Sequence, residues 1–106
     1  MPELNNIFHT TKTNLSANEE FTIGLTEEQR RQIGNKPCNH LVAYSALDRD
    51  IFIQLNNDPN QRYPLLSNSG RTVINKEDQI FFHYIQLIEF SGNNATGTVY
   101  ITYGAL

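Results

Sequence analysis

The chain has 106 residues, a formal net charge of −3 and one cysteine. This length suits a single domain with a thin core. The acidic balance removes the electrostatic basis for nonspecific nucleic-acid binding, and a lone cysteine excludes an internal disulfide framework and suits synthesis in a reducing cytosol.

Residues 1–20 are polar and weakly patterned, with apolar islands at Leu4, Ile7, Phe8 and Leu15. They are expected to form an extended N-terminal arm ahead of a domain over 21–106, and to reach onto a neighbouring chain. Met1 to Asn6 show neither a basic nor an apolar leader region, so no secretory signal is expected. No apolar run reaches the ~18 residues that a membrane span needs. Phe21-Thr22-Ile23-Gly24-Leu25 alternates as a half-buried strand does. Thr26-Glu27-Glu28-Gln29 fits a helix capping box that Gly34 could close. The rival reading makes Gln29 to Ile33 an edge strand with a charged outer face.

His40 to Leu47 and Asp50 to Leu55 flank the short polar joint Asp48-Arg49, which predicts a hairpin. In the second run Ile51, Ile53 and Leu55 share one face, while Asp50, Phe52, Gln54 and Asn56 take the other. Asn56-Asn57-Asp58-Pro59-Asn60 is a dense turn cluster, and Pro64 keeps any strand that follows away from a sheet centre. Ser67 to Gly70 predicts another turn. Ile80 to Phe90 is apolar on both faces, as a central strand covered on both sides is. After a turn over Ser91 to Gly97, Val99, Ile101 and Tyr103 face one way and Thr98, Tyr100 and Thr102 the other. The pattern predicts an all-β fold: a single antiparallel β-sandwich, with a jelly roll as the candidate topology. Its expected core is Ile51, Ile53, Leu55, Ile80, Phe82, Val99 and Ile101.

Chemistry-bearing residues are sparse. His9, His40 and His83 lack the spacing of a metal-binding motif. Cys38 and His40 stand two residues apart with no orienting third group, so an inert thiol is expected. Asn56-x-Asp58-x-Asn60 begins like a calcium loop but carries Gln61 where Gly is needed and Ser67 where a bidentate Glu belongs. Asp48 and Asp50 suit a corner. Asn14-Leu15-Ser16 and Asn94-Ala95-Thr96 match the glycosylation pattern by chance. No catalytic, cofactor-binding or metal-ligating residue is assigned, and no enzymatic activity is expected.

Charged residues make up 18% and hydrophobic ones 39%, both below the usual globular shares, so amides and hydroxyls fill the surface. Such a surface meets neighbouring protein without stripping water from ions. Phe52, Phe81 and Tyr100, with Tyr44 and Phe90, lie opposite apolar faces of their strands. They could pack against a neighbouring subunit, stack sugar rings, or lie beneath the arm.

A strand near Arg31-Gln32-Ile33, the pair Asn39 to Leu47 and Asp50 to Leu55, the segment Arg71 to Phe90 and the ending Gly97-Thr98-Val99-Tyr100-Ile101-Thr102-Tyr103-Gly104 together resemble small structural proteins of tailed bacteriophage virions. The likeness spans roughly residues 29–106 and is one of strand order. It implies a decoration, head–tail or fibre-base protein: non-enzymatic, without cofactor, synthesised in the host cytoplasm and assembled in the virion as a homo-oligomer with other virion proteins. The alternative is a carbohydrate-binding module using the exposed aromatics.

Overall fold

The structure is a computed structural model and describes residues 6–106. Eight strands form two four-stranded antiparallel sheets. They are β1 (Ile7–Leu15), β2 (Glu20–Gly24), β3 (His40–Ser45), β4 (Ile51–Leu55), β5 (Arg62–Leu65), β6 (Ser69–Ile74), β7 (Tyr84–Ile88) and β8 (Ala95–Gly104). One sheet has the order β1-β8-β3-β6, hereafter the first sheet; the second has the order β2-β7-β4-β5.

The pairing follows one rule: β1 pairs with β8, β2 with β7, β3 with β6 and β4 with β5. This is a long antiparallel hairpin rolled over on itself, with β3·β8 and β4·β7 closing each sheet. The expected all-β sandwich is present, in jelly-roll order. Between the sheets lie Ile51, Ile53, Leu55, Phe82, Val99 and Ile101 as expected, joined by Leu41, Ile74, Ile85 and Leu87, all essentially buried. Ile80 is only partly buried against this core.

Local signals explain the short elements. Helix α1 (Glu27–Gln32) starts at a full capping box: Gln29 N–H donates to Thr26 Oγ1 at 3.1 Å and Thr26 N–H to Gln29 Oε1 at 3.0 Å. It ends in a Schellman turn, with Asn35 N–H on the Arg30 carbonyl, Gly34 N–H on the Arg31 carbonyl and Gly34 at φ 68°. The edge-strand alternative for this segment is therefore excluded.

Three expectations are corrected. The arm expected over residues 1–20 is, from Ile7 to Leu15, an edge strand of the sandwich, in register with β8 from Ile7↔Gly104 to Thr13↔Thr98. Its apolar residues explain this, since Phe8 and Leu15 are buried in the core of their own chain. Leu4 lies outside the described residues. The hairpin expected at Asp48-Arg49 is a crossing between sheets: β3 and β4 belong to different layers. Past Ser45 the chain keeps following β8, through Ala46 N–H to Thr98 O at 2.8 Å and Asp48 N–H to Thr96 O at 3.0 Å. Gly97, at φ 132°, allows this approach, because a Cβ there would stand 2.1 Å from the Ala46 carbonyl oxygen. The hairpin between consecutive strands is β4–β5, turned by the Asn56–Asn60 cluster. Finally, the central strand expected from Ile80 to Phe90 is confined to Tyr84–Ile88. Before it, Asn56 pins the chain irregularly by accepting from His83 N–H and donating to the Phe81 carbonyl.

Candidate functional site

Most polar residues singled out in the sequence are engaged in holding loops. Asp48 accepts from Thr96 N–H at 2.9 Å, and Asp50 accepts from Ser67 N–H at 2.8 Å, so the two carboxylates serve different corners. Asp58 accepts from Asn60 N–H at 2.9 Å, an Asx turn inside the β4–β5 loop. Asn14 and Asn94 of the two sequons accept from Gly97 N–H and Ala17 N–H, both at 3.0 Å, at one end of the sandwich. Cys38 is buried in the core, and burial pushes its thiol up to about 11, which keeps it protonated. Among the described residues no three His, Cys, Asp or Glu side chains converge as a metal site would require. A groove of about 320 Å³ beside the end of α1, lined in part by Asn6, Lys36 and Leu106, brings together no nucleophile and base.

The aromatics are where sequence and structure meet. Tyr44, Phe81, Phe90 and Tyr100 are about half exposed, whereas Phe52 is half-buried under Phe90, with ring centroids 4.6 Å apart. Tyr84, not singled out from sequence, is equally exposed and leans over Gly24. Its signal was its place two residues before Gln86, on the strand face opposite Ile85 and Leu87.

Strand pairing sets out two outer faces. On the first sheet, Thr11, Tyr100, Tyr44 and Gly70 form one row across β1, β8, β3 and β6. Gly70 leaves room for the Tyr44 ring, since a Cβ there would meet Tyr44 Cδ2 at 3.0 Å. The Tyr44 and Tyr100 centroids are 6.3 Å apart with planes tilted by 48°. Thr13 and Thr98 stand on one side of this row, His9 and Thr102 on the other, each pair hydrogen-bonded across strands. Alternation places no Asp, Glu, Lys or Arg on this face.

On the second sheet the corresponding row is Thr22, Gln86, Gln54 and Arg62 across β2, β7, β4 and β5. Arg62 Nε donates to Gln54 Oε1 at 2.6 Å, Gln54 Nε2 to Gln86 Oε1, and Gln86 Nε2 to Thr22 Oγ1 at 3.4 Å. Although they point outward, Gln54 and Gln86 are only 4% and 6% exposed. Their hydrogen-bonding capacity is spent within the chain.

Glu89, at the end of β7, is also sunk: its carboxylate accepts from Asn18 N–H, Ser91 N–H, Ser91 Oγ–H and Gly92 N–H, joining the β1–β2 and β7–β8 turns. Burial is the largest single influence and acts to raise its pKa. The hydrogen bonds from Ser91, Asn18 and Gly92 together outweigh it and hold the pKa at about 2.

No family model, curated protein or solved structure matches the chain.

Proposed function

We propose that the protein is a non-enzymatic structural subunit that works by protein–protein contact, a component of a virus particle of the tailed-bacteriophage kind, made in the host cytoplasm. The observation that carries this reading is the outer face of the first sheet, which bears no Asp, Glu, Lys or Arg, with Tyr44 and Tyr100 about half exposed at its centre. Tyrosine supplies large contact area with little rotamer entropy to lose, and hydroxyl-bearing neighbours cost less to desolvate than ions. Jelly rolls include viral capsid domains. Fold alone does not assign function, so the weight rests on the face.

Jelly rolls also include lectins, and exposed aromatics suit sugar stacking. The 48° tilt between Tyr44 and Tyr100 denies a sugar chain a common plane, which favours the protein-contact reading. Co-sedimentation of the purified chain with phage capsid and tail preparations tests it, beside a titration with a panel of oligosaccharides. Saturable incorporation into particles supports the assembly reading. Saturable sugar binding lost in Tyr100→Ala, without particle binding, replaces it with the sugar module.

A further inference from the structure

The four sheet edges are closed to added strands. At the β1 edge Lys12 points inward, 3.6 Å from the Glu19 carboxylate and 4.5 Å from the centre of the Phe21 ring on β2. A register shift between Thr13 and Leu15, with Asn14 at φ 59°, breaks the same edge. At the opposite edge Arg71 of β6 stays exposed but reaches across to the second sheet, donating to the Pro64 carbonyl at 2.9 Å, with its guanidinium 6.0 Å from the Tyr63 ring on β5. Each open side of the sandwich is thus bridged by a cation of the first sheet lying over an aromatic ring of the second. β2 has only five residues, and β5 has four and contains Pro64. Inward charges, bulges, proline and short length are the devices that blunt an edge against strand addition.

With the edges blocked, a partner must dock on a face. We infer that the outer face of the first sheet packs against the same face of a second copy, around a twofold axis, with Tyr44 and Tyr100 at its centre. This rests on the proposed assembly role and specifies its surface and partner. Charge selects the second copy. The chain carries −3 overall, 11 acidic against 8 basic residues, so two copies repel on balance, and a face without Asp, Glu, Lys or Arg is where they approach with the least ionic repulsion. Area agrees with a modest dimer. Four strands ~4.8 Å apart, crossed by about six residues of ~3.4 Å, project to roughly 400 Å² on each copy, about 800 Å² in all, with more accessible area once side chains are counted. That lies at the small end of specific interfaces, so the dimer is weak and concentration-dependent.

Sedimentation equilibrium of the full chain over a wide concentration range is the test. The wild-type chain should dimerise reversibly. Thr11→Glu and Thr11→Lys, at an exposed edge-strand position that leaves the core untouched, should each weaken dimerisation about tenfold or more, as should Tyr100→Glu. Glu20→Lys, on the other sheet's outer face, should change little. A chain that stays monomeric at high concentration overturns the inference; if it still enters phage particles, the assembly role stands. A dimer indifferent to the Thr11 and Tyr100 variants overturns it too, and leaves that role intact. Neither dimer nor particle binding defeats both.

Discussion

The outer faces of the two sheets are built on the same scaffold and use their polar residues in opposite ways. On the second sheet the row from Arg62 through Gln54 and Gln86 to Thr22 is bonded end to end, and its two central amides are sunk from solvent. On the first sheet threonine hydroxyls pair locally across strands, while Tyr44 and Tyr100 stand out into solvent. Polar groups of the first kind stabilise the fold, because removing one strands its buried partner. Those of the second kind contribute little to stability and remain free to meet another surface. The difference is burial, not residue type: an amide and a hydroxyl have similar bonding capacity, but only the buried one leaves a desolvated group behind when its partner is lost.

The largest effect should come from the sunken carboxylate on the second sheet's side. Glu89→Ala leaves the Asn18, Ser91 and Gly92 N–H groups without their acceptor and should cost about 2–4 kcal/mol in urea unfolding at neutral pH. The folded pKa of about 2 lies below the ordinary 4.5, so this stabilisation is complete above about pH 4.5 and is lost as pH falls toward 2. The gap between wild type and Glu89→Ala should therefore narrow across that window. A gap that stays constant with pH removes the charge from the explanation.

Next, Gln86→Leu should cost about 1–3 kcal/mol by leaving Gln54 Nε2 unpaired, and adding Gln54→Leu should recover part of the loss. A double variant as unstable as the two single losses added together would show that the amide row does not act as a unit. Lys12→Ala should lose about 0.5–1 kcal/mol of cation–ring attraction and, with its edge unplugged, aggregate faster on thermal unfolding and refolding followed by turbidity. The smallest effect belongs to the first face: Thr11→Val should shift stability by no more than about 0.5 kcal/mol. A loss there as large as that of Gln86→Leu would erase the contrast between the faces.

The legible parts of this molecule are its local ones. Thr26 and Gln29 announce the start of α1 because a capping box needs only four consecutive residues, and Gly34 announces its end for the same reason. The in-out alternation of Ile51-Phe52-Ile53-Gln54-Leu55 and of Thr98 to Tyr103 is likewise readable, since a strand's period of two is set by backbone geometry alone. Asp48-Arg49 misled because a short polar joint looks the same whether the chain turns back in its own sheet or crosses to the other. The choice was made by Asp48 bonding to Thr96, 48 residues away. Residues 7–15 misled because an edge strand that lays Lys12 inward breaks the apolar alternation by which strands are recognised.

Sequence alone determined the in-out alternation within β4 and β8, the two ends of α1 and that the layers are β-sheets, because sterics and short-range hydrogen bonds act between neighbours in the chain. Only the tertiary structure decided which strand lies beside which. That choice set Tyr44 against Tyr100 and drew Thr22, Gln54, Arg62 and Gln86 into one row. No local rule encodes such pairings. They arise when the long hairpin rolls up to bury both sheets' apolar faces at once, and the outer faces take whatever composition that closure brings together.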